Sequence, residues 1–286
     1  MTNSAQVAPT QNSLPLGRRI EHIGRIILGI LLIVTFISPL VWAAVNSISP
    51  NPGTAQTEGY GLNNYQTLVN YNLGIWTYLR NSLIVSLVAV VATVIATATG
   101  GYAFARFRFK GRNFAFMLVL SVMMVPYAAL LIPLLVWMKQ MGMQNSLIGV
   151  GLVLGLFQLP FGTFMMRNAF AAIPRELEEA ALIDGCSSLS AFVRVLLPAV
   201  RPSMVSVGLL TFLFAWNDFM VSLYLLGSEK APLPLAMVNM RQQVMGVIDY
   251  GLTTAGVVVL TLPAIFLFLS LQRYYVKGFT SGAVKG

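Results

Sequence analysis

The chain has 286 residues, of which 57% are hydrophobic and 9% are charged, whereas about 25% of residues are charged in ordinary globular proteins. This composition excludes a water-soluble globular domain and is typical of integral membrane proteins. The formal net charge of +9 does not indicate a nucleic-acid partner, because the cations flank apolar runs instead of forming a stripe.

The N-terminal segment differs in composition from the rest of the chain. Residues 1–17 are polar and contain two prolines, and we predict that they form a disordered cytosolic tail. The first apolar run after them is too long for the h-region of a signal peptide and lacks a convincing cleavage site. We therefore expect this run to stay in the membrane as the first helix.

Six apolar segments follow the tail. A helix needs about 20 apolar residues to cross the hydrocarbon core of a bilayer. Five of the segments contain no Asp, Glu, Lys or Arg, and the remaining one contains only Asp218. We predict an all-α integral membrane protein with one domain of six transmembrane helices over residues 18–276. The predicted helices cover residues 26–45, 81–105, 113–138, 145–166, 203–226 and 252–272.

The distribution of cations predicts the orientation. With the N-terminus in the cytosol, 14 of the 18 Lys and Arg residues fall on the cytosolic side and 4 fall outside. Because cytosolic loops carry an excess of positive charge, we expect a multi-pass protein with both termini cytosolic, including a C-terminal tail over residues 277–286.

The second helix carries small residues at four-residue spacing, namely Ala89, Thr93, Thr97 and Gly101. Small residues let helix backbones approach closely in lipid, so we expect this face to pack against another helix. Prolines inside the predicted spans should kink or loosen them. These prolines are Pro126, Pro133, Pro160 and Pro263.

Two aromatic residues, Trp76 and Tyr78, lie just before the second predicted helix. They fit an interfacial aromatic belt. A docking surface for an extracytoplasmic partner is the alternative interpretation.

A charged island separates the fourth and fifth helices. The 35 residues from Arg167 to Arg201 carry 8 of the 27 Asp, Glu, Lys and Arg residues of the chain. Pro174 suits the first turn of a helix, and Gly185 suits its end. Ser187 or Ser188 can cap a second short helix, which Pro198 and Pro202 are expected to end. We predict two short helices at a sharp bend, lying parallel to the membrane and open to a soluble partner.

This island resembles the EAA loop of bacterial ABC importer permeases. The resemblance rests on Glu179-Ala180-Ala181, on Gly185 after three intervening residues, and on the later pair Leu197-Pro198. Other segments resemble the carbohydrate-uptake branch, and in particular the six-helix permease subunit of maltose transporters. These segments are Leu62-Asn63-Asn64-Tyr65, Phe214-Ala215-Trp216-Asn217-Asp218-Phe219 and the C-terminal stretch from Gln272 to Gly286.

The resemblance implies a mechanism. In that family the EAA loop, here residues 172–201, sits in a cleft of a cytosolic ATPase subunit and couples ATP hydrolysis to movement of the membrane helices. By this likeness Glu179 would pair with a cation of the ATPase, Ala180 and Ala181 would allow close approach, and Gly185 would permit the bend. The full set of coupling residues that we expect is Glu176, Glu179, Ala180, Ala181, Asp184, Gly185 and Pro198.

The resemblance also implies partners and a location. The chain is expected in a bacterial plasma membrane with a second, homologous permease, two ATP-binding subunits and an extracytoplasmic solute-binding protein. It would hydrolyse no ATP itself, since no lysine follows a Gly-rich turn and precedes Ser or Thr, as a Walker-type phosphate loop requires. We expect no cofactor and no metal, because the single histidine and the single cysteine have no metal-ligand spacing.

Asp218 is the one ionisable residue inside a predicted span, and such residues usually face a cavity or the bundle interior. Trp216 and Asn217 lie beside it, and Tyr224 lies seven residues beyond Asn217, on the same face of a continuous helix. These four residues are candidates for the carbohydrate path. An equally good interpretation is that Trp216, Asn217 and Asp218 brace helix packing.

Two other functional classes compete with this interpretation. A stand-alone secondary transporter or channel is disfavoured, because no second intramembrane charge offers a proton relay. A membrane enzyme is disfavoured because no cluster of His, Cys, Asp or Glu has catalytic spacing. The sequence does not identify the carbohydrate.

Overall fold

A computed structural model describes residues 16–50, 59–242 and 249–283. Their regular secondary structure is entirely helical, with no β-strand in these three ranges. The predicted tail 1–17 lies outside the described residues except for its last two positions, which begin the first helix. The elements in the first half of the chain are α1 (Leu16–Ile48), α2 (Asn63–Asn70), α3 (Ile75–Arg106), α4 (Arg112–Ser121), α5 (Leu131–Gln140) and α6 (Leu147–Ala172).

The second half begins with the charged island and ends in a long helix. It contains α7 (Arg175–Ile183), α8 (Ser188–Ala191), a π-helical turn over Phe192–Leu196, α9 (Leu197–Ala199), α10 (Arg201–Trp216), α11 (Met220–Leu225), α12 (Leu233–Gln242) and α13 (Tyr250–Ala283). Helix α13 continues through positions 277–283 of the predicted C-terminal tail. We call the end of the bundle that carries the charged island the inner end, and the opposite end the outer end.

Four of the described helices are each long and apolar enough to cross a membrane, namely α1, α3, α6 and α13. The number rises to six if each of two sharply bent helix pairs forms one span. The all-α membrane architecture predicted from the composition is therefore confirmed, and the described helices allow between four and six spans by length and composition.

The predicted span 113–138 is not a continuous helix. Two helical arms, Arg112–Met124 and Tyr127–Gln140, meet at an angle of 94° on either side of Pro126. Pro126 cannot donate a backbone hydrogen bond, and it forces the preceding Val125 into an extended conformation, with ψ of 122°. By contrast, Pro160 and Pro263 lie inside continuous helices.

The predicted packing face of α3 is confirmed. Ala89, Thr93, Thr97 and Gly101 are all buried against α6. Ala89 and Thr93 face Gly155, Thr97 faces Gly162, and Gly101 faces Met166. A Cβ atom added to Gly155 would lie 3.1 Å from the carbonyl oxygen of Ala89, so the two backbones approach as closely as the small residues allow. The α3–α6 pair forms the centre of the bundle.

Polar contacts join the outer ends of α3 and α12. The Asn81 amide donates to the carbonyl of Ala231 at 3.1 Å, and the Ser82 hydroxyl accepts from the backbone N–H of Leu233 at 2.9 Å. Tyr78 is buried here, which contradicts both interpretations of it as a belt or docking residue, whereas Trp76 is 73% exposed. The reason is helical geometry, because two residues along a helix point in different directions.

Candidate coupling loop and transport path

The first helix of the charged island, α7, has well-defined ends. It starts directly after Pro174, and Glu176 and Glu178 lie in its first turn, where the helix dipole favours anions. Gly185 follows it with a φ of +86°, and the N–H groups of Gly185 and Cys186 bond the carbonyls of Leu182 and Ala181 at 3.1 and 3.0 Å. This pair of bonds is a Schellman motif. The predicted end of the helix at Gly185 is confirmed.

The second short helix starts where the sequence predicts. The Ser187 hydroxyl accepts the backbone N–H of Ser190 at 3.3 Å and caps α8. The helical stretch Ser188–Ala199 ends one residue after Pro198, and α10, with Pro202 in its first turn, is bent by 74° from it. The predicted end of the second short helix between Pro198 and Pro202 is therefore confirmed.

The predicted coupling residues divide into an exposed set and one buried member. Ala181 is 7% exposed and faces the rest of the protein. The other six lie on the surface of the loop, which is where a partner would reach them. They are Glu176, Glu179, Ala180, Asp184, Gly185 and Pro198.

Glu178 is the residue of this loop that sequence reasoning missed. Its carboxylate accepts the Tyr102 hydroxyl at 2.6 Å and lies 3.2 Å from Nε of Arg106 in an ion pair. The side chains of Arg106 and Glu178 are only 7% and 18% exposed. A signal for it exists in the sequence, since Tyr102 and Arg106 are four residues apart and share one face at the inner end of α3.

An aromatic cluster supports this contact from inside the bundle. The ring of Tyr102 lies 4.7 Å from that of Phe192 and 5.5 Å from that of Phe170, measured between centroids. Phe170 belongs to α6, and Phe192 follows α8, so three parts of the chain meet at one tyrosine. The island is therefore packed against the spans through its buried face while its other face remains open.

The predicted helix 203–226 is interrupted at the candidate transport path. Helix α10 ends at Trp216 and α11 starts at Met220. The Asp218 carboxylate accepts the N–H groups of Val221 and Ser222 at 3.3 and 3.2 Å, and the Ser222 hydroxyl lies 3.3 Å from it. Asp218 therefore caps the first turn of α11.

The neighbours of Asp218 have different surroundings. Trp216 is buried, and its indole N–H donates to the carbonyl of Leu260 in α13 at 2.9 Å. Asn217 is exposed and donates to the carbonyl of Leu213 at 2.7 Å. Tyr224 is also exposed, but the premise that it shares one continuous helical face with Asn217 is wrong, since the helix breaks between them.

The break at Pro126 lies close to the break between α10 and α11. The Tyr127 ring, directly after the break at Pro126, lies 5.7 Å from the ring of Phe157 and 6.5 Å from that of Phe214. Phe214 precedes Asp218 by one helical turn. Non-helical backbone at membrane depth is tolerated only where it is buried in protein or lines a water-filled cavity. The two breaks are therefore compatible with a transport path and equally with burial in protein.

Hydrogen bonds between Asn145, before α6, and residues 227–230, after α11, form what we call the outer clamp. Both the side chain and the backbone of Asn145 are engaged: its Oδ1 accepts the N–H of Gly227 at 3.0 Å, its amide bonds Glu229, and its carbonyl accepts Nζ of Lys230 at 2.8 Å. The pKa of Glu229 is lowered, because its own backbone N–H and the Asn145 amide donate to the carboxylate and Lys230 adds a positive charge. Among the described residues, no group of three His, Cys, Asp or Glu side chains could hold a metal ion.

Comparison with known proteins identifies the relatives of this architecture. Residues 89–281 match the model of the family described as binding-protein-dependent transport system inner membrane component. The diacetylchitobiose uptake system permease protein DasC of Streptomyces coelicolor is 38% identical over 212 residues, which are 74% of this chain and 76% of the relative. The trehalose/maltose transport system permease protein MalG of Thermococcus litoralis is 31% identical over 276 residues, 94% of this chain and 99% of the relative.

A solved structure shares the fold. A chain of a bacterial ABC transporter involved in the import of the acidic polysaccharide alginate superposes with a TM-score of 0.78. The superposition covers 93% of this chain and 100% of the other, at 23% sequence identity. The likeness is therefore one of fold along nearly the whole chain.

Proposed function

The chain belongs to the family of binding-protein-dependent transport system inner membrane components, and we propose that it forms half of the path through which an ATP-driven importer takes up a carbohydrate. The observation that carries this proposal is the charged island between α6 and α10. Helix α7, the turn after it and α9 present six exposed candidate residues there, at the end of the two central spans. Such a surface is suited to a soluble partner.

The coupling step follows from the shape of the island. A separate ATPase subunit would grip the exposed face of α7, with Glu179 pairing with a cation and Ala180 allowing close approach. Glu176, Asp184 and Pro198 would border that contact. Ala181 is buried, so we assign it to packing beneath the contact, and Gly185 to the bend that separates α7 from α8.

The substrate path would run past the break at Pro126 and the break between α10 and α11. Asn217 and Tyr224 are exposed there and offer the polar and aromatic groups that bind sugar hydroxyls and stack on sugar rings. Asp218 would act by holding the break open, because its carboxylate is engaged by the first turn of α11. Trp216 would brace α10 against α13 through its bond to Leu260.

The nature of the substrate is supported by the relatives. The names of the two permeases compared above refer to diacetylchitobiose and to trehalose or maltose. We propose a sugar or oligosaccharide as the substrate of this chain and a bacterial plasma membrane as its location. A second homologous permease would supply the other half of the path, and an extracytoplasmic solute-binding protein would deliver the carbohydrate.

Affinity purification of the tagged chain from its native membrane tests this assembly. Mass spectrometry of the purified material should find an ATP-binding subunit and a second permease in stoichiometric amounts. A chain that purifies alone, and that moves solute in vesicles without ATP, would instead support a stand-alone transporter or channel.

A further inference from the structure

Arg106 contacts both sides of the corner between α6 and α7. Helix α6 ends at Ala172, and α7 begins at Arg175. The guanidinium of Arg106 donates to the carbonyl of Ile173 at 3.0 Å, and its Nε lies 3.2 Å from Glu178 in the first turn of α7. One side chain of α3 therefore spans the junction between a transmembrane helix and the exposed island.

Glu178 is held from two directions. One carboxylate oxygen accepts the Tyr102 hydroxyl at 2.6 Å, and the other forms the ion pair with Arg106. Both charged side chains are mostly removed from water, so salt screens their attraction less than that of a surface pair. Tyr102 and Arg106 are four residues apart on α3, so both anchors belong to one rigid helix.

The backbone of the corner offers little resistance to rotation of α7, which is otherwise opposed by the packing of its buried face at Ala181. Ile173 and Pro174 are extended, with ψ of 130° and 141°, and they form the whole connection between the two helices. Proline fixes its own φ, but the remaining dihedrals of the corner are free to change. A tie across the corner, added to this packing, would make a push on α7 move α6 and α3 instead of swinging α7 alone.

We infer that Glu178, anchored by Arg106 and Tyr102, is a positioning residue that fixes the coupling helix to the α3–α6 pair, so that movement of α7 is transmitted to both spans. This inference rests on the proposed function. The outer end of α3 is bonded in turn to the segment before α12, through Asn81 to Ala231 and through Ser82 to Leu233. Displacement of the inner end of α3 would therefore reach the outer surface along a single helix.

The adjacent glutamate provides a matched control. Glu179 differs from Glu178 by one position, yet it is exposed and has the role of contacting the ATPase in the proposed function. Glu178→Gln removes the charge and keeps an acceptor for Tyr102. Glu179→Gln makes the same chemical change on the open face.

The two variants are compared in the importer purified with its partners and reconstituted in vesicles. For Glu178→Gln we expect wild-type recovery of the ATPase subunit but at least about fivefold more ATP hydrolysed per carbohydrate imported. For Glu179→Gln we expect reduced recovery of the ATPase. A wild-type ATP ratio for Glu178→Gln, in an importer whose wild type is ATP-driven, would overturn the inference alone. Failure of the wild type to import with ATP would overturn the proposed function and the inference with it.

A covalent tie gives a second test that does not depend on the ion pair. Arg106→Cys and Glu178→Cys are combined with Cys186→Ser, and a short bis-methanethiosulfonate reagent joins the two new thiols. We expect the double cysteine variant to be uncoupled and the cross-link to restore at least about half of the wild-type transport per ATP, because the tie is re-formed. No recovery, or a loss of uptake that reductant reverses, would show that α7 must move relative to α3.

Discussion

The hydroxyl of Thr93 in α3 donates to the carbonyl oxygen of Gly155 in α6 at 3.1 Å. This bond is possible because neither residue keeps the backbones apart. It lies in the middle of a run of small buried residues that continues inward to Gly101. The contact between α3 and α6 is therefore set by residue size, which leads to a prediction at the inner end of the run.

Replacement of Gly101 by Ala should destabilise the protein. The added Cβ would lie 2.5 Å from Cβ of Met166 and 2.8 Å from the backbone nitrogen of Arg167, so the helices must separate. We expect a loss of about 1–3 kcal/mol of stability, as in other overpacked cores. The thermal unfolding midpoint of the detergent-solubilised protein measures it.

The neighbouring Gly100 is the matched control. A Cβ at Gly100 meets no atom within 4 Å, so Gly100→Ala should leave the midpoint unchanged or raise it slightly. Equal midpoints for the two variants would contradict the packing of α3 on α6 described above.

The sequence predicts this interface well because its cause is local. Spacing of four residues places small side chains on one face, and close approach in lipid follows from their size. The helix ends at Gly185 and Ser187 are predictable for the same reason, since each depends on the residue at the cap. The helix break at the candidate path was harder to predict. The break at Asn217 follows no proline, and it depends on the Asp218 carboxylate bonding forward to α11.

Replacement of Trp216 by Phe should separate bracing from substrate contact. The variant loses the hydrogen bond from the indole to Leu260 and keeps most of the buried ring. We expect about 1 kcal/mol of lost stability and a midpoint lower by about 2–4 °C. The apparent KM for carbohydrate should not change.

Trp76→Phe serves as the control, because Trp76 is 73% exposed and its replacement should not move the midpoint. A changed KM for Trp216→Phe with an unchanged midpoint would place Trp216 in the substrate path instead.

Replacement of Gly185 by Val should uncouple ATP hydrolysis from uptake. With φ at +86°, a β-branched residue strains the end of α7 by about 2 kcal/mol, which corresponds to about 30-fold less of the competent loop conformation. Uptake by vesicles that contain ATP should fall accordingly, while membrane insertion persists.

A Val substitution at Gly111 is the control for backbone strain alone. This glycine has a φ of +81° and also has open space around it, but it lies in the loop between α3 and α4. Gly111→Val carries the same backbone strain and should retain coupled uptake. If both variants lose uptake equally, backbone strain anywhere at the inner end is sufficient and the special role of Gly185 is wrong.

The outer clamp should depend on pH. Because the pKa of Glu229 is lowered in the folded protein, its contribution to stability is present above the unfolded-state pKa and is lost as the pH falls through the folded-state pKa. The protection of the Gly227 amide, whose N–H bonds Asn145, should therefore fall in acid once exchange rates are corrected for the intrinsic slowing at lower pH. Glu229→Gln should remove this extra pH dependence, and an identical profile in both proteins would contradict the clamp.

Glu178 shows why the site could be predicted only in part. Residue type and position in the sequence do not distinguish Glu178 from Glu179, since both are glutamates in the first turns of one short helix. Their different surroundings arise from the rotation of α7 against α3, which places one carboxylate beside Arg106 and leaves the other in solvent. That rotation is set by tertiary packing around Tyr102 and Phe192.

Transport by the reconstituted assembly tests the central claim most directly. The chain and its co-purified partners are placed in vesicles, the solute-binding protein and labelled carbohydrate are added outside, and ATP is trapped inside. We predict uptake that requires both ATP and the binding protein and that persists when ion gradients are abolished. Uptake without ATP that follows an imposed proton or sodium gradient would contradict the account and support a secondary transporter.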